Sequence, residues 1–204
     1  MRASDVQSRG LEGITFRLAH GEESVPVSCP LPRVHHVYPT LAAAAVALTE
    51  GLSLAEIADA LTQARPELRL RVLPGPAGST LIDDSYNASP ASMLAALDLL
   101  AELPGRRIAL LGEMRELGAA EEEGHRRVGR RAATACDLLL VLGDRARPLA
   151  EAARAAGHQD VRFLESVPAA EDELRAEARK GDYILIKASR ALALETLVDA
   201  LVAR

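Results

Sequence analysis

The sequence predicts an α/β protein: a Rossmann-like, mostly parallel sheet with helices on both faces, preceded by a smaller α/β segment. Three observations carry that prediction. Beyond residue 79, short and almost continuously apolar runs alternate with longer amphipathic ones, the pattern of parallel strands covered by helices. The apolar runs end in small polar or glycine-containing turns, and helical patterns start from them. Aromatic residues make up only 2% of the 204 residues, with no Trp, so the core must be built from Leu, Ala, Val and Ile.

Taken in order, residues 13–19 alternate apolar and polar and read as a half-buried strand. His20-Gly21-Glu22-Glu23 is a turn, and Ser24 to Cys29 is the returning strand of a hairpin. Pro30, Pro32 and Pro39 restrict the backbone before a helix from about Thr40 to Thr49, which Gly51 ends. Ser53 and Glu56 form a capping box for a second helix whose buried stripe is Leu54, Ile57, Ala58 and Leu61. Arg69 to Leu73 reads as a strand and residues 74–78 as a tight turn. Strands then follow at Thr80–Asp83, Arg107–Leu111, Leu138–Leu142, Val161–Phe163 and Tyr183–Lys187, with helices near 91–103, 119–135, 145–156, 167–179 and 190–203. The domain boundary is expected near Gly78, giving domains of 1–78 and 79–204.

A net charge of −5 argues against nucleic acid as a partner, because phosphate binding needs a basic face. The Arg pairs at 106–107, 126–127 and 130–131 lie among Glu residues and read as solvated helix faces. Cys29 and Cys136 have the look of small buried hydrophobes of a reducing compartment. No apolar signal core follows Met1, and the run Leu41 to Leu48 is shorter than the ~20 residues a bilayer span requires. The expectation is a soluble, cytoplasmic protein with no membrane partner.

The most informative stretch is Ile82-Asp83-Asp84-Ser85-Tyr86-Asn87-Ala88-Ser89-Pro90. A strand breaks there into two carboxylates and small polar side chains just before a helix, the place where α/β proteins bind ligands. The nonamer resembles the DDSYNANP-type motif of the bacterial Mur ligases. Leu111-Gly112-Glu113-Met114-Arg115-Glu116-Leu117-Gly118 is similar to that family's LGDMLELG segment, and His125, Val128 and Gly129 to its H-x-x-V-G pattern. Residues 140–143 and 181–190 are similar to its last two strands and their turns, and Leu31 to Leu48 to a segment late in its central domain. The resemblance covers nearly the whole chain. It implies that residues 1–78 are the remnant of the ATP-binding central domain and 79–204 the C-terminal domain.

Within the family the nonamer is most like the members that join D-alanyl-D-alanine to UDP-N-acetylmuramoyl-tripeptide. The resemblance implies ATP and Mg2+ as cofactors and these two molecules as substrates. The family's P-loop, a Gly-rich turn ending in Gly-Lys-Ser/Thr, is not among these residues. The chain is therefore expected to be inactive alone, either a truncated enzyme or one half of a split one whose N-terminal partner chain carries the P-loop. Two other readings stand beside this one: a non-catalytic α/β binding module or pseudoenzyme, and the C-terminal region of a related ligase such as folylpolyglutamate synthase.

The resemblance also assigns residues. Asp83, Asp84 and Asn87 would lie near the ATP ribose and the interdomain hinge, one carboxylate facing the sheet crevice and the other capping the turn; capping alone is the competing reading. Arg69 matches a strand Arg that looks toward the nucleotide phosphates, although Leu68 and Arg71 replace the neighbouring Gly and Glu. His35 and His36 fall where the family has His-Asn near the adenine, and Pro39 stands where a second Asn is expected. No third ligand lies at metal spacing from this His pair, so no metal site is assigned. Ser89, Lys187, Ser189 and Arg190 would bind the incoming amino substrate. Ser189 reads equally as an N-cap, and Ala188 replaces a family Gly, which predicts strain if that position requires positive φ. The Gly112–Gly118 loop, with Glu113 and Glu116, is compatible with holding an amine or closing a domain interface. His125 is expected to be structural, and no residue is assigned a catalytic role.

Overall fold

The computed structural model describes residues 1–64 and 70–202 and divides into two compact units, Met1–Glu67 and Leu68–Arg204. In the first, β1 (Arg2–Ser8), β2 (Ile14–His20) and β3 (Glu23–Cys29) form an antiparallel meander in that order. β1 escapes sequence reading because Ala3 and Val6 are its only apolar residues. A register irregularity between Ser4 and Gln7, with Asp5 at φ 54°, also breaks its alternation. β2 pairs with β3 from Ile14↔Cys29 to His20↔Glu23, which confirms the hairpin.

Helix α1 (Val37–Thr49) starts at Val37 rather than Thr40, with Pro39 in its first turn, where the missing N–H breaks no helical bond. Helix α2 (Leu54–Gln63) has the expected capping box. Glu56 N–H donates to Ser53 Oγ (3.3 Å) and Ser53 N–H to Glu56 Oε2 (2.9 Å). Ile14, Phe16, Leu18, Val27 and Cys29 pack against Val37, Ala44, Leu54, Ile57 and Ala58. One sheet face and two helix stripes thus make this unit's core.

The second unit is a six-stranded sheet. Its strands are β4 (Arg71–Pro74), β5 (Thr80–Asp83), β6 (Arg107–Gly112), β7 (Leu138–Leu142), β8 (Val161–Leu164) and β9 (Tyr183–Lys187), in the spatial order β4-β5-β9-β6-β7-β8. β4 alone runs antiparallel, Arg71 opposite Asp83 and Pro74 opposite Thr80. Residues 71–74 are thus a sheet strand within the second of the two compact units.

Helices α3 (Pro90–Ala101), α4 (Glu121–Ala135) and α5 (Arg147–Ala155) pack side by side, and α6 (Val167–Glu177) packs with α7 (Glu195–Val202). Leu81, Ile108, Leu110, Leu138, Leu140, Ile184 and Ile186 share one cluster with Leu174, Leu197, Val198 and Leu201 of α6 and α7. Their alternating neighbours Ile82, Ala109, Leu111, Leu139, Val141 and Leu185 are also buried, so both faces of the sheet are covered. The expected final helix 190–203 is shorter. Arg190–Leu192 form a single 3-10 turn, Ala193 is left-handed (φ 46°), and α7 starts at Glu195. Among the described residues no helix is long and apolar enough to cross a membrane.

Candidate functional site

The strand order creates the site. The helices that follow β5 and β6 belong to the α3–α5 layer, whereas the chain leaving β9 enters the α6–α7 layer. Connections that leave neighbouring parallel strands toward opposite faces open a crevice at the strands' carboxyl ends. β9 lies between β5 and β6, so two such ends meet there. The ladder continues past the strands: Asp84 N–H donates to Ile186 O (3.0 Å) and Ser189 N–H to Glu113 O (2.9 Å). With Lys187 opposite Leu111, the loops carrying Asp84, Glu113 and Ser189 are drawn to one edge of the sheet.

The acidic pair divides its work. Asp83 Oδ1 accepts from Ser85 N–H (3.0 Å) and closes the turn, while Oδ2 accepts from Arg71 Nε (2.8 Å). Asp84 instead meets Lys187, Nζ to Oδ2 at 2.9 Å. Lys187 also donates to Asn87 O (2.7 Å), and its side chain is only 2% exposed. Lys187 thereby ties the β5–α3 loop to β9. Burial forces the arrangement, because an ammonium out of water must find acceptors.

Ser89 ends that loop. It caps α3, accepting from Ser92 N–H (3.3 Å) in a reciprocal box with that serine. Its hydroxyl is thus used by the helix. Ser189 shows the converse. It precedes the 3-10 turn without any side-chain cap, and among the described residues its Oγ has no hydrogen-bond partner although the residue is buried. The expected N-cap role therefore fails, because a single 3-10 turn follows Ser189 where a helix was expected. Arg190 is exposed, contacts Glu195 Oε1 (3.1 Å) and lies 5.7 Å from the Tyr86 ring centroid. Ala188 carries no strain: its φ is not positive, and the close approach is borne by Gly112, whose added Cβ would lie 2.6 Å from that of Ala188.

Two contributors, Arg71 and Tyr86, were not assigned from sequence, and a third, Glu113, was read only as part of a loop compatible with holding an amine. Arg71 secures Asp83 from the edge strand, and the signal was its register opposite that residue. Tyr86 shares the rim with Arg190. Glu113 is a carboxylate with a side chain 6% exposed, paired with Arg115 (Nε to Oε1, 2.8 Å). His125 is structural as expected. It is fully buried, with Nε2 accepting from Met114 N–H (2.9 Å) and Nδ1 against Glu121 O (2.8 Å), which makes Nδ1 the protonated nitrogen.

His35 and His36 lie in the first unit at the start of α1, ring centroids 4.6 Å apart, with His36 Nδ1 bonded to Pro32 O. Arg69 lies outside the described residues. Both cysteines are free and buried. Cys136 Sγ lies 3.6 Å from His158 Nε2, but that nitrogen is also 3.1 Å from Cys136 O and Nδ1 accepts from Asp160 N–H. Burial pushes the Cys136 thiol up to about 12, so the pair is no nucleophile.

Comparison with known proteins agrees with this architecture. The family described as "Mur ligase, glutamate ligase domain" matches residues 68–190. The UDP-N-acetylmuramoyl-tripeptide--D-alanyl-D-alanine ligase of Escherichia coli is 34% identical over 198 residues, covering 93% of this chain and 42% of that protein. The Mycobacterium tuberculosis protein of the same name is 40% identical, covering 83% and 38%. The crystal structure of MurF from Acinetobacter baumannii superposes with a TM-score of 0.83 at 28% identity, over 99% of this chain and 45% of that one. A fold match at 22% identity and TM-score 0.79 is the MurF ligase of Thermotoga maritima in complex with ADP. The chain spans less than half the length of each of these relatives. From the sheet order, the crevice it builds and the matched residues, the chain belongs to the Mur ligase family.

Proposed function

We propose that this chain forms the amino-substrate platform of an ATP-dependent amide ligase that adds D-alanyl-D-alanine to UDP-N-acetylmuramoyl-tripeptide. The observation that carries the reading is the crevice where β5, β9 and β6 end, with a Ser189 hydroxyl that has no hydrogen-bond partner among the described residues beside the exposed Arg190 guanidinium. A hydroxyl and a guanidinium on consecutive residues suit a ligand carboxylate. Beneath them the Lys187–Asp84 pair holds the two loops in register.

In the proposed reaction the tripeptide carboxylate accepts the terminal phosphoryl group of ATP. The dipeptide nitrogen, once its ammonium has lost a proton to solvent, attacks the acyl carbon, and phosphate leaves from the tetrahedral intermediate carrying the second proton as hydrogen phosphate. A P-loop-bearing N-terminal segment, in a partner chain or the same polypeptide, supplies the nucleotide-phosphate contacts. The residues of this chain bind and orient the dipeptide and exclude water from the acyl phosphate. The residues proposed to contact ATP are taken unit by unit: His35 and His36 in the first, and Arg69, Asp83, Asp84 and Asn87 in the second, where Asp83 is engaged by Arg71 and Ser85. A Mg2+ site does not fit here. No group of three or more metal-ligating side chains gathers among the described residues, and the hinge carboxylates face Arg71 and Lys187. No step is assigned to that ion.

Calorimetry of the full chain with D-alanyl-D-alanine tests the reading. Binding is expected, weakened about ten-fold or more in Arg190→Ala and in Ser189→Ala, as loss of a charge-assisted hydrogen bond implies. No heat with the intact chain would favour a non-catalytic module, a reading supported by how completely Lys187 is taken up within the fold.

A further inference from the structure

The Glu113 carboxylate stands at the carboxyl end of β6, beside the crevice. Its side chain is more than nine-tenths buried, yet both contacts from Arg115 go to a single oxygen, Oε1. Among the described residues Oε2 has no hydrogen-bond partner. It does not belong to the fully enclosed unpartnered atoms, so a small group can reach it. Across the next strand end, Gly143 is at φ 95°, and a Cβ there would come within 3.2 Å of Oε2. Glycine keeps the backbone clear of this oxygen. Arg115 balances the charge through Oε1, and Oε2 keeps acceptor capacity for a further donor.

The position of this oxygen relative to the crevice suggests which donor. Glu113 O accepts from Ser189 N–H, so the two residues lie on neighbouring strand ends, about 4.8 Å apart by sheet geometry. Ser189 and Arg190 offer an anion site on one side, and Glu113 offers a cation site on the other. An extended dipeptide spans about 7 Å between its charged ends, which fits one to two strand spacings.

We propose that Glu113 receives the ammonium group of the incoming zwitterionic dipeptide and so selects a free amine, a role that rests on the platform reading above. Ser189 and Arg190 then take its carboxylate. The contact orients the nitrogen and discriminates against amine-blocked peptides, which leave Oε2 without its cation. Glu113 is a specificity-determining residue in this scheme.

The test compares D-alanyl-D-alanine with its N-acetyl form on the full chain and on Glu113→Gln, which preserves shape and the acceptor for Arg115. The intact chain is expected to prefer the free amine about ten-fold or more, and E113Q to lose that preference while binding the N-acetyl peptide unchanged. Equal preference in both proteins overturns the assignment. If E113Q melts early, the intact chain's own preference decides: indifference to N-acetylation overturns the assignment. Failure of the platform reading registers separately, as no binding of either peptide. The 13C resonance of the Glu113 carboxyl, followed while ethylammonium is added, then settles the cation site: a saturable shift supports it and no shift overturns it.

Discussion

Replacing Lys187 by Met keeps the length and apolar stem of the side chain and removes only the ammonium. Lys187 is 2% and the Asp84 side chain 10% exposed, so the variant removes the ammonium from a carboxylate that water barely reaches and a donor from the Asn87 carbonyl. Breaking a buried pair from one side costs about 3–5 kcal/mol, and the retained stem keeps the cavity contribution small. For a unit of this size that corresponds to a Tm lower by about 10–20 °C. The chain has no Trp, so circular dichroism near 222 nm during heating and urea titration is the suitable assay. Adding Asp84→Asn to K187M removes the carboxylate charge as well and is expected to restore part of the loss, with the urea m-value unchanged. A Tm within about 3 °C of the parent for K187M, with no response to the second change, would refute the argument that this pair holds the crevice together.

Two further outcomes follow from packing and burial. Gly112→Ala places a Cβ 2.6 Å from both Ala188 Cβ and Leu192 Cδ1; it should cost about 1–3 kcal/mol in urea unfolding, and adding Ala188→Gly should recover much of that in a double-mutant cycle. The Cys136 thiol, raised from 9.0 to about 12 chiefly by burial, keeps its proton in the folded chain where the unfolded chain loses it. Its stabilising effect is therefore complete below about pH 9 and is lost as pH rises toward about 12. The urea midpoint of the parent should fall more steeply above pH 9 than that of Cys136→Ala, and parallel curves would contradict it.

The second unit was legible because its strands are apolar on both faces. Leu138–Leu142 and Tyr183–Lys187 coincide with the expected runs, since few other structures bury so continuous an apolar stretch. β1 was not, because an edge strand with one half-covered face needs few apolar residues. The antiparallel pairing of β4 with β5 was hidden for a related reason: it is set by register, which the spacing of Arg71 and Asp83 does not announce. Within the site, the residue types at strand ends were readable and their division of labour was not. Lys187, Ser89 and Ser189 are all polar residues at strand or helix ends, and only three-dimensional neighbours decide which one is consumed by the fold. Ala188 shows the same lesson in reverse, since the close contact expected there falls on Gly112 across the sheet.

The last strand in sequence, β9, occupies the middle of the second unit's sheet. As the polypeptide leaves the ribosome, β5 and β6 must wait for a neighbour made some seventy residues after β6, with their inner edges open meanwhile. Insertion of that strand joins Asp84 to Lys187 and Glu113 to Ser189 in one event, so the binding edge comes into being only when the sheet is finished. Such late, non-local closure favours slow maturation and reliance on chaperones during synthesis.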